Sequence, residues 1–250
     1  MGSDISFLEV KKLEVVYDEI ALAVQGVSLS VPEKRIVALL GPNGAGKTTT
    51  LRAISGFLGS DNAEIRDGTV EFLGERLNGL YPNQIARRGI ILVPEQDKVF
   101  VTLTVEENLV AAVCREGEKR RREILRQVFH YFPLLRVRRR QTAGYLSGGE
   151  RQMLAISKGL LCAPKLLMVD ELCLGLSPLV VSELMKSIVT LNKELGLTLL
   201  LVEQNAPLAL GIADYGYILE NGRVVLNGSR DTLLNHADVK EFYLGMGGGA

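Results

Sequence analysis

The chain of 250 residues has no net charge, no long apolar run and few cysteines, and each shortage excludes a class of protein. Its 29 lysines and arginines equal its 29 aspartates and glutamates, so nothing in the charge indicates a nucleic acid partner. The longest apolar runs are strand-length, far short of the ~20 residues that a membrane-spanning helix requires. The chain also opens without a secretory pattern. We therefore expect a cytosolic protein.

Cysteine and histidine are too scarce to build a disulfide framework or a histidine-based site. Three dispersed cysteines, Cys114, Cys162 and Cys173, are typical of free thiols in a reducing compartment. The two histidines, His130 and His236, lie outside every motif, and we expect both on the surface.

Glycine is concentrated in an octapeptide between the apolar run Ile36–Leu40 and a helix-like stretch, Thr49–Leu58. The octapeptide reads Gly41-Pro42-Asn43-Gly44-Ala45-Gly46-Lys47-Thr48. Its G-x-x-x-x-G-K-T spacing allows sharp turns that bring backbone N–H groups to phosphate oxygens, beside the positive end of the next helix. Lys47 would reach the β- and γ-phosphates, and Thr48 would hold Mg²⁺. The octapeptide, with Thr49 after it, therefore predicts a nucleoside triphosphate site.

A second motif, Ser147-Gly148-Gly149-Glu150, predicts the start of a helix. Ser147 and Glu150 have the spacing of a capping box. Capping does not account for the two glycines, each of which costs a helix about 1 kcal/mol relative to alanine. Such a cost is tolerated where a ligand or another backbone comes close, and N–H groups at a helix N-terminus bind phosphate. The motif therefore indicates a second phosphate-binding surface.

With both motifs in this order, the sequence resembles the ATP-binding-cassette (ABC) ATPases, whose signature motif reads LSGGE or LSGGQ. The resemblance covers nearly the whole chain. It implies an α/β P-loop NTPase fold with a mostly parallel sheet and an N-terminal antiparallel β subdomain. The whole chain would be one cassette, with a helical subdomain (96–161) inserted into a core formed by 1–95 and 162–250. Ser147 and Gly149 would complete the ATP site formed by Lys47 and Thr48 of a second, head-to-tail subunit.

The apolar stretch 165–169 ends in two carboxylates, Asp170 and Glu171, as expected of a buried parallel strand with ligand groups at its C-terminal end. The resemblance makes it a Walker B segment. Asp170 would support Mg²⁺ with Thr48, and Glu171 would orient or deprotonate the water that attacks the γ-phosphate. Leu172 stands where the family usually has proline, which leaves the conformation of Cys173–Ser177 less certain.

Three further positions take their roles from the resemblance. Glu95 occupies the place of the family's metal-contacting glutamine, with Gln96, one residue later, as the alternative. Gln204 replaces the switch histidine and cannot change charge near neutral pH, so no histidine step is expected in the pH–rate profile. Tyr17 corresponds to the aromatic residue that stacks on adenine.

Four segments resemble the ATPase subunits of branched-chain amino-acid importers, especially the second of the two subunits in those systems. They are Arg151–Leu160, Leu174–Pro178, Val202–Ala206 and Tyr217–Arg223. The resemblance implies an ATPase on the inner face of the membrane that works with a second ATPase chain and two permease subunits. A solute-binding protein would act indirectly. Urea and amide importers use closely similar subunits and remain an alternative.

Three other functions compete with the importer. A clamp on nucleic acid or an assembly scaffold would be favoured by tandem cassettes or an inserted coiled coil, which this chain lacks. An ordinary P-loop kinase would have no use for Ser147–Glu150. A non-hydrolysing subunit would be consistent with Leu172 and Gln204, but not with the intact pair Asp170–Glu171.

Overall fold

The structure, a computed structural model, describes residues 7–96, 98–112, 118–237 and 239. The strands in these ranges are β1 (Leu8–Tyr17), β2 (Ala21–Val31), β3 (Ile36–Leu40), β4 (Ala63–Phe72), β5 (Glu75–Arg76), β6 (Ile90–Val93), β7 (Leu166–Asp170), β8 (Thr198–Glu203), β9 (Tyr215–Glu220) and β10 (Arg223–Ser229). The helices are α1 (Lys47–Ser55), α2 (Pro82–Ala86), α3 (Val105–Ala111), α4 (Glu118–Tyr131), α5 (Pro133–Val137), α6 (Gly148–Leu161), α7 (Pro178–Leu195), α8 (Ala206–Leu210) and α9 (Arg230–Asn235).

A six-stranded sheet in the order β10-β9-β3-β8-β7-β6 forms the centre of the fold. The neighbours from β9 to β6 are parallel, and β10 is antiparallel to β9. The pairings Leu40↔Glu203 and Asp170↔Val202 show that β3, β8 and β7 end at one edge. The phosphate loop and the Asp170–Glu171 pair therefore lie side by side, although they are far apart in sequence.

Alternate residues of the central strands contribute to two different cores. In β3, Ile36, Ala38 and Leu40 pack with the helices of the 105–161 region and α7, whereas Val37 and Leu39 pack with α1 and the N-terminal strands. Because both faces are covered, all of β3, β7 and β8 is buried, as their continuous apolar sequences predict.

A separate antiparallel sheet, in the order β2-β1-β4-β5, confirms the expected N-terminal β part of the fold. It brings Tyr17, the last residue of β1, close to α1. The first helix differs from the stretch expected at Thr49–Leu58. It begins two residues earlier and ends at Ser55, because Gly56 adopts a left-handed φ of 78° and donates its N–H to the Arg52 carbonyl.

The chain between β6 and β7 contains α3, α4, α5 and α6. In the part of the chain that the structure describes, no helix combines the length and hydropathy needed to cross a bilayer. Cys162 and Cys173 are free thiols, and Cys114 lies outside the described residues. His130 is exposed as expected, whereas His236 is partly buried.

Candidate nucleotide-binding and catalytic site

The loop between β3 and α1 requires glycine at two positions. Gly41 has a φ of 153°, and a Cβ there would lie 2.1 Å from the Leu219 carbonyl oxygen. Gly46 has a φ of 97°, and its Cβ would lie 2.8 Å from the Ala23 carbonyl oxygen. Both the backbone angle and the lack of space therefore exclude other side chains. α1 begins directly after Gly46, so its first-turn N–H groups, which have no helical partner, face the predicted phosphate site.

Lys47 places a buried ammonium group inside this loop. Its side chain is 4% exposed, and its Nζ donates to the carbonyl oxygens of Gly41 at 2.8 Å and Pro42 at 2.9 Å. The same atom lies 3.8 Å from Oε1 of Glu171. Burial lowers the pKa of Lys47, and the neighbouring carboxylates, Glu171 above all, oppose that shift. The loop therefore holds a cation next to the predicted catalytic carboxylate.

Asp170 and Thr48 form a set of oxygen atoms that fits Mg²⁺. Asp170 is 3% exposed, and its buried Oδ1 has no hydrogen-bond partner among the described residues. The Thr48 hydroxyl neighbours the same carboxylate. Burial raises the pKa of Asp170, and the Thr48 hydrogen bond opposes the shift. A carboxylate oxygen without a partner, next to a hydroxyl, is the hard-oxygen chemistry that Mg²⁺ prefers.

The raised pKa of Asp170 gives a testable dependence of stability on pH. Above its ordinary value of 3.8, the folded carboxyl keeps a proton that the unfolded one loses, so its contribution to stability falls as pH rises through the folded pKa. Asp170→Asn has no such proton. We expect the free energy of unfolding of the wild type, measured relative to Asp170→Asn in urea without nucleotide, to increase as the pH is lowered from 8 towards 3.8, the ordinary pKa of the carboxyl group. If the difference in unfolding free energy between the wild type and Asp170→Asn did not change with pH, the raised pKa of Asp170 would be contradicted.

Glu171 is held in an unusual backbone conformation next to Gln204. It has a φ of 51° and donates its N–H to the Val202 carbonyl at 3.0 Å. Its Oε1 accepts a hydrogen bond from Gln204 Nε2 at 3.2 Å. The same Gln204 nitrogen also donates to the side-chain oxygen of Asn43. Gln204 therefore connects the Glu171 carboxylate to the phosphate loop through Asn43, a contact that the sequence did not indicate.

The environments of Glu95 and Tyr17 agree with the positions proposed for them. Glu95 is partly buried beyond β6, whereas Gln96 is exposed. Burial lowers the pKa of Lys47 and raises that of Asp170, and in both cases the negative charge of Glu95 pushes the pKa upward. The charge of Glu95 therefore acts on the site, and the choice between Glu95 and Gln96 as the metal contact stays a prediction. The Tyr17 hydroxyl lies 3.2 Å from Oγ1 of Thr49, beside the first turn of α1.

Ser147 caps α6 as the sequence predicts. The Glu150 N–H contacts Ser147 Oγ at 3.3 Å, and the Ser147 N–H donates to Glu150 Oε2 at 2.7 Å. Arg138 Nε donates to the other carboxylate oxygen of Glu150 at 3.3 Å. Among the described residues, no hydrogen bond or ion pair connects Ser147–Glu150 to the phosphate loop of the same chain.

The two glycines of this motif, Gly148 and Gly149, differ in their surroundings. A Cβ on Gly149 would lie 2.2 Å from Val180 Cγ1, so glycine there lets α6 approach the start of α7. Close approach of another part of the chain, one of the two reasons expected for these glycines, therefore accounts for Gly149. Gly148 is exposed, and its Cβ would lie 3.2 Å from Leu176 Cδ2.

Sequence reasoning did not single out Glu203, which is buried beside the site. It ends β8, is 3% exposed, and its Oε1 accepts a hydrogen bond from the Cys173 N–H at 2.9 Å. Burial raises the pKa of the Glu203 carboxyl and also that of the Cys173 thiol. The sequence could have indicated Glu203, because it is an acidic residue at the end of an apolar strand. The same pattern identified Asp170.

A phosphate loop between a buried strand and a helix, with carboxylates at the end of a neighbouring parallel strand, defines a P-loop nucleoside triphosphatase. The family model described as ABC transporter matches residues 24–173. Over 95% of its length the chain is 41% identical to the high-affinity branched-chain amino acid transport ATP-binding protein BraG of Pseudomonas aeruginosa, covering 99% of that protein. It is 37% identical to the probable branched-chain amino acid transport ATP-binding protein LivF of Archaeoglobus fulgidus, covering 96% and 99% of the two chains. The chain belongs to the ABC transporter ATP-binding proteins.

Solved structures agree with this family. An ATP-binding subunit of an ABC transporter is 31% identical with a TM-score of 0.79, over 96% of this chain and 99% of that one. The ADP conformation of an ATP-binding cassette is 26% identical with a TM-score of 0.80, also over 96% and 99%. These matches confirm the predicted fold, and as a member of this family the protein is an ATPase.

Proposed function

We propose that this ATPase is the motor subunit of an importer for branched-chain, hydrophobic amino acids. The catalytic part of this proposal rests on the position of Glu171. Its Oε1 lies 3.8 Å from Lys47 Nζ and accepts a hydrogen bond from Gln204. The solute is inferred from the BraG relative, which aligns over 95% of the chain.

In this mechanism Glu171 orients, or accepts a proton from, the water that attacks the γ-phosphate. Because Gln204 donates to the Glu171 carboxylate and to Asn43, it holds that carboxylate against the phosphate loop. Lys47 and the first-turn N–H groups of α1 stabilise the charge on the transferred phosphoryl group. Gln204 stays neutral throughout, so it contributes no protonation step near pH 7.

Three oxygen-bearing side chains would hold the metal ion. Thr48 neighbours Asp170 and lowers the pKa of its carboxyl group by hydrogen bonding, and the charge of Glu95 raises that pKa. Bound there, Mg²⁺ supplies positive charge to the β- and γ-phosphate oxygens. Tyr17, fixed near Thr49, would stack on the adenine.

The signature motif would act on the ATP of a second subunit. Ser147 and Gly148 are exposed at the N-terminus of α6, where free N–H groups and the helix dipole favour a phosphate. Two ATP molecules bound between head-to-tail subunits would stabilise the closed dimer, and hydrolysis would open it. The second subunit in the cell is a related ATPase chain, and the isolated protein forms homodimers.

An exposed apolar surface beyond β6 would receive the permease subunits. Phe100, Val101 and Tyr145 are 54%, 52% and 81% exposed. Asn108 fixes this surface by hydrogen bonds to the Phe100 N–H at 2.7 Å and to its carbonyl at 2.8 Å. Phe100 follows Glu95 by only five residues, so movement at the metal site would be passed to this surface. Docking there places the protein at the inner face of the cell membrane, in the cytoplasm, with the solute-binding protein acting indirectly.

Uptake of labelled leucine tests the solute, with labelled urea measured in parallel. Host cells that depend on this chain for import would carry either the wild type or Glu171→Gln. We expect Glu171→Gln to abolish leucine uptake and leave urea uptake unchanged, because leucine import depends on hydrolysis at this site. Loss of urea uptake alone would instead assign the chain to the urea and amide importers. No change in either would favour a clamp or scaffold.

A further inference from the structure

We propose that Glu203 is a positioning residue, which holds the segment after β7 against the end of β8 and thereby orients Glu171. The inference rests on the proposed catalytic role of Glu171. It adds a buried side chain on a different strand to the machinery of hydrolysis.

Three hydrogen bonds join the segment after β7, residues 171–173, to residues 202–204 at the end of β8. The Glu171 N–H donates to the Val202 carbonyl at 3.0 Å, and the Cys173 N–H donates to Glu203 Oε1 at 2.9 Å. Gln204 Nε2 then donates to Glu171 Oε1 at 3.2 Å. Val202, near the end of β8, therefore holds the backbone of Glu171, and Gln204, the residue after β8, holds its side chain.

The Glu203 side chain continues the pairing where the backbone ladder stops. The register of β7 and β8 ends at Asp170↔Val202, so beyond it Cys173 has no backbone partner on β8. The Glu203 carboxylate supplies the missing acceptor. Neither Leu172 nor Cys173 restricts its own φ as a proline would, so hydrogen bonds have to provide this restraint.

The conformation of Glu171 requires such a restraint. A φ of 51° is strained for a residue with a side chain, and such strain persists only where the surrounding contacts determine the backbone. The hydrogen bond that Glu203 accepts from the Cys173 N–H lies two residues beyond the strained position, and the bond that Glu171 donates to the Val202 carbonyl lies at it. Without Glu203, the segment would be held at one end only.

The burial of Glu203 supports a specific role. It is 3% exposed at the end of the apolar strand Thr198–Glu203, where a carboxyl group is costly to bury. The hydrogen bond that the carboxyl group accepts from the Cys173 N–H offsets part of this cost.

Four variants separate positioning from a general structural effect. Glu203→Ala removes the acceptor, Glu203→Gln keeps a neutral one, and Cys173→Ala removes the thiol but keeps the N–H. Thr198→Val is the matched control, because Thr198 is equally buried at the other end of β8 and accepts a hydrogen bond from the Lys34 N–H at 2.9 Å. Its loss should affect stability but not the site.

The first readout is hydrogen exchange in the protein without nucleotide, followed by mass spectrometry. We expect the peptide covering 171–176 to exchange at least tenfold faster in Glu203→Ala, and at the wild-type rate in Glu203→Gln, Cys173→Ala and Thr198→Val. Unchanged exchange in Glu203→Ala would overturn the proposal. This result does not depend on whether Glu171 is catalytic.

The second readout separates kcat from nucleotide affinity. We expect about a 10²-fold lower kcat for Glu203→Ala, the effect of a small misplacement of a catalytic group, with the Kd for ATP unchanged within about twofold. Glu203→Gln should restore kcat. A kcat for Glu203→Ala equal to that of Thr198→Val, or one that glutamine does not restore, would refute the positioning role. If Glu203→Ala does not fold, Glu203→Asp, whose shorter side chain cannot reach Cys173, replaces it in both measurements.

Discussion

Replacing Glu171 with glutamine is expected to lower the kcat for ATP hydrolysis by about 10²–10⁴-fold, the usual contribution of a general base. Glutamine has the same shape and can still accept the hydrogen bond from Gln204, but it cannot take a proton from water. Because Lys47 and the loop N–H groups are untouched, the Kd for ATP should change by less than about threefold. Phosphate release at saturating ATP gives kcat, and titration with a fluorescent ATP analogue gives the affinity.

Glu220→Gln is the matched control for this substitution. Glu220 is also an acidic residue at the end of a strand of the same sheet, but it is not one of the carboxylates whose charge acts on the pKa of Lys47, which are Glu171, Asp170, Glu203 and Glu95. We expect its kcat to equal that of the wild type. Wild-type turnover in Glu171→Gln would remove Glu171 from the catalytic role. A loss of ATP affinity equal to the loss of kcat would mean that the substitution disrupts binding instead.

The sequence predicts this site well where the chemistry is local. The phosphate loop, the cap at Ser147 and the carboxylates after β7 each combine a residue type with a fixed spacing, and each predicted element is present. The family resemblance supplied the order in which these parts meet. Strand order itself cannot be read from spacing, because β7 and β8 become neighbours only when α7 crosses the sheet.

The residues that the sequence did not explain depend on distant packing. Gly149 is needed because Val180 lies against it, and nothing in the local sequence identifies that neighbour. Glu203 has the same local signal as Asp170, and only the register with β7 shows that it binds Cys173. Local patterns therefore give the candidate groups, while their partners follow from tertiary structure.

Two inactive variants are expected to restore activity when they are mixed. Lys47→Ala removes the cation of the phosphate loop, and Gly148→Asp adds a negative charge where the signature helix would meet phosphate. Each should lower hydrolysis by about 10²–10³-fold, the cost of losing one charge-stabilising group. In the mixed dimer, one chain supplies an intact Lys47 and the other an intact Gly148, so one of two sites is complete. Random pairing of equal amounts should recover about a quarter of wild-type activity, measured as phosphate release.

The controls separate a shared site from a site within one chain. Gly148→Ala adds a methyl group but no charge, so it should lose less activity than Gly148→Asp, and an aspartate in the first turn of α6 suits the helix dipole and leaves the fold intact. A chain that carries both substitutions, mixed with the wild type, forms dimers in which neither site is complete. Its activity should therefore fall below the half expected from dilution. If mixing the two single variants recovers nothing while this double variant only dilutes the wild type, each chain would hydrolyse ATP alone, and the role of Ser147–Glu150 in a second subunit's site would be excluded.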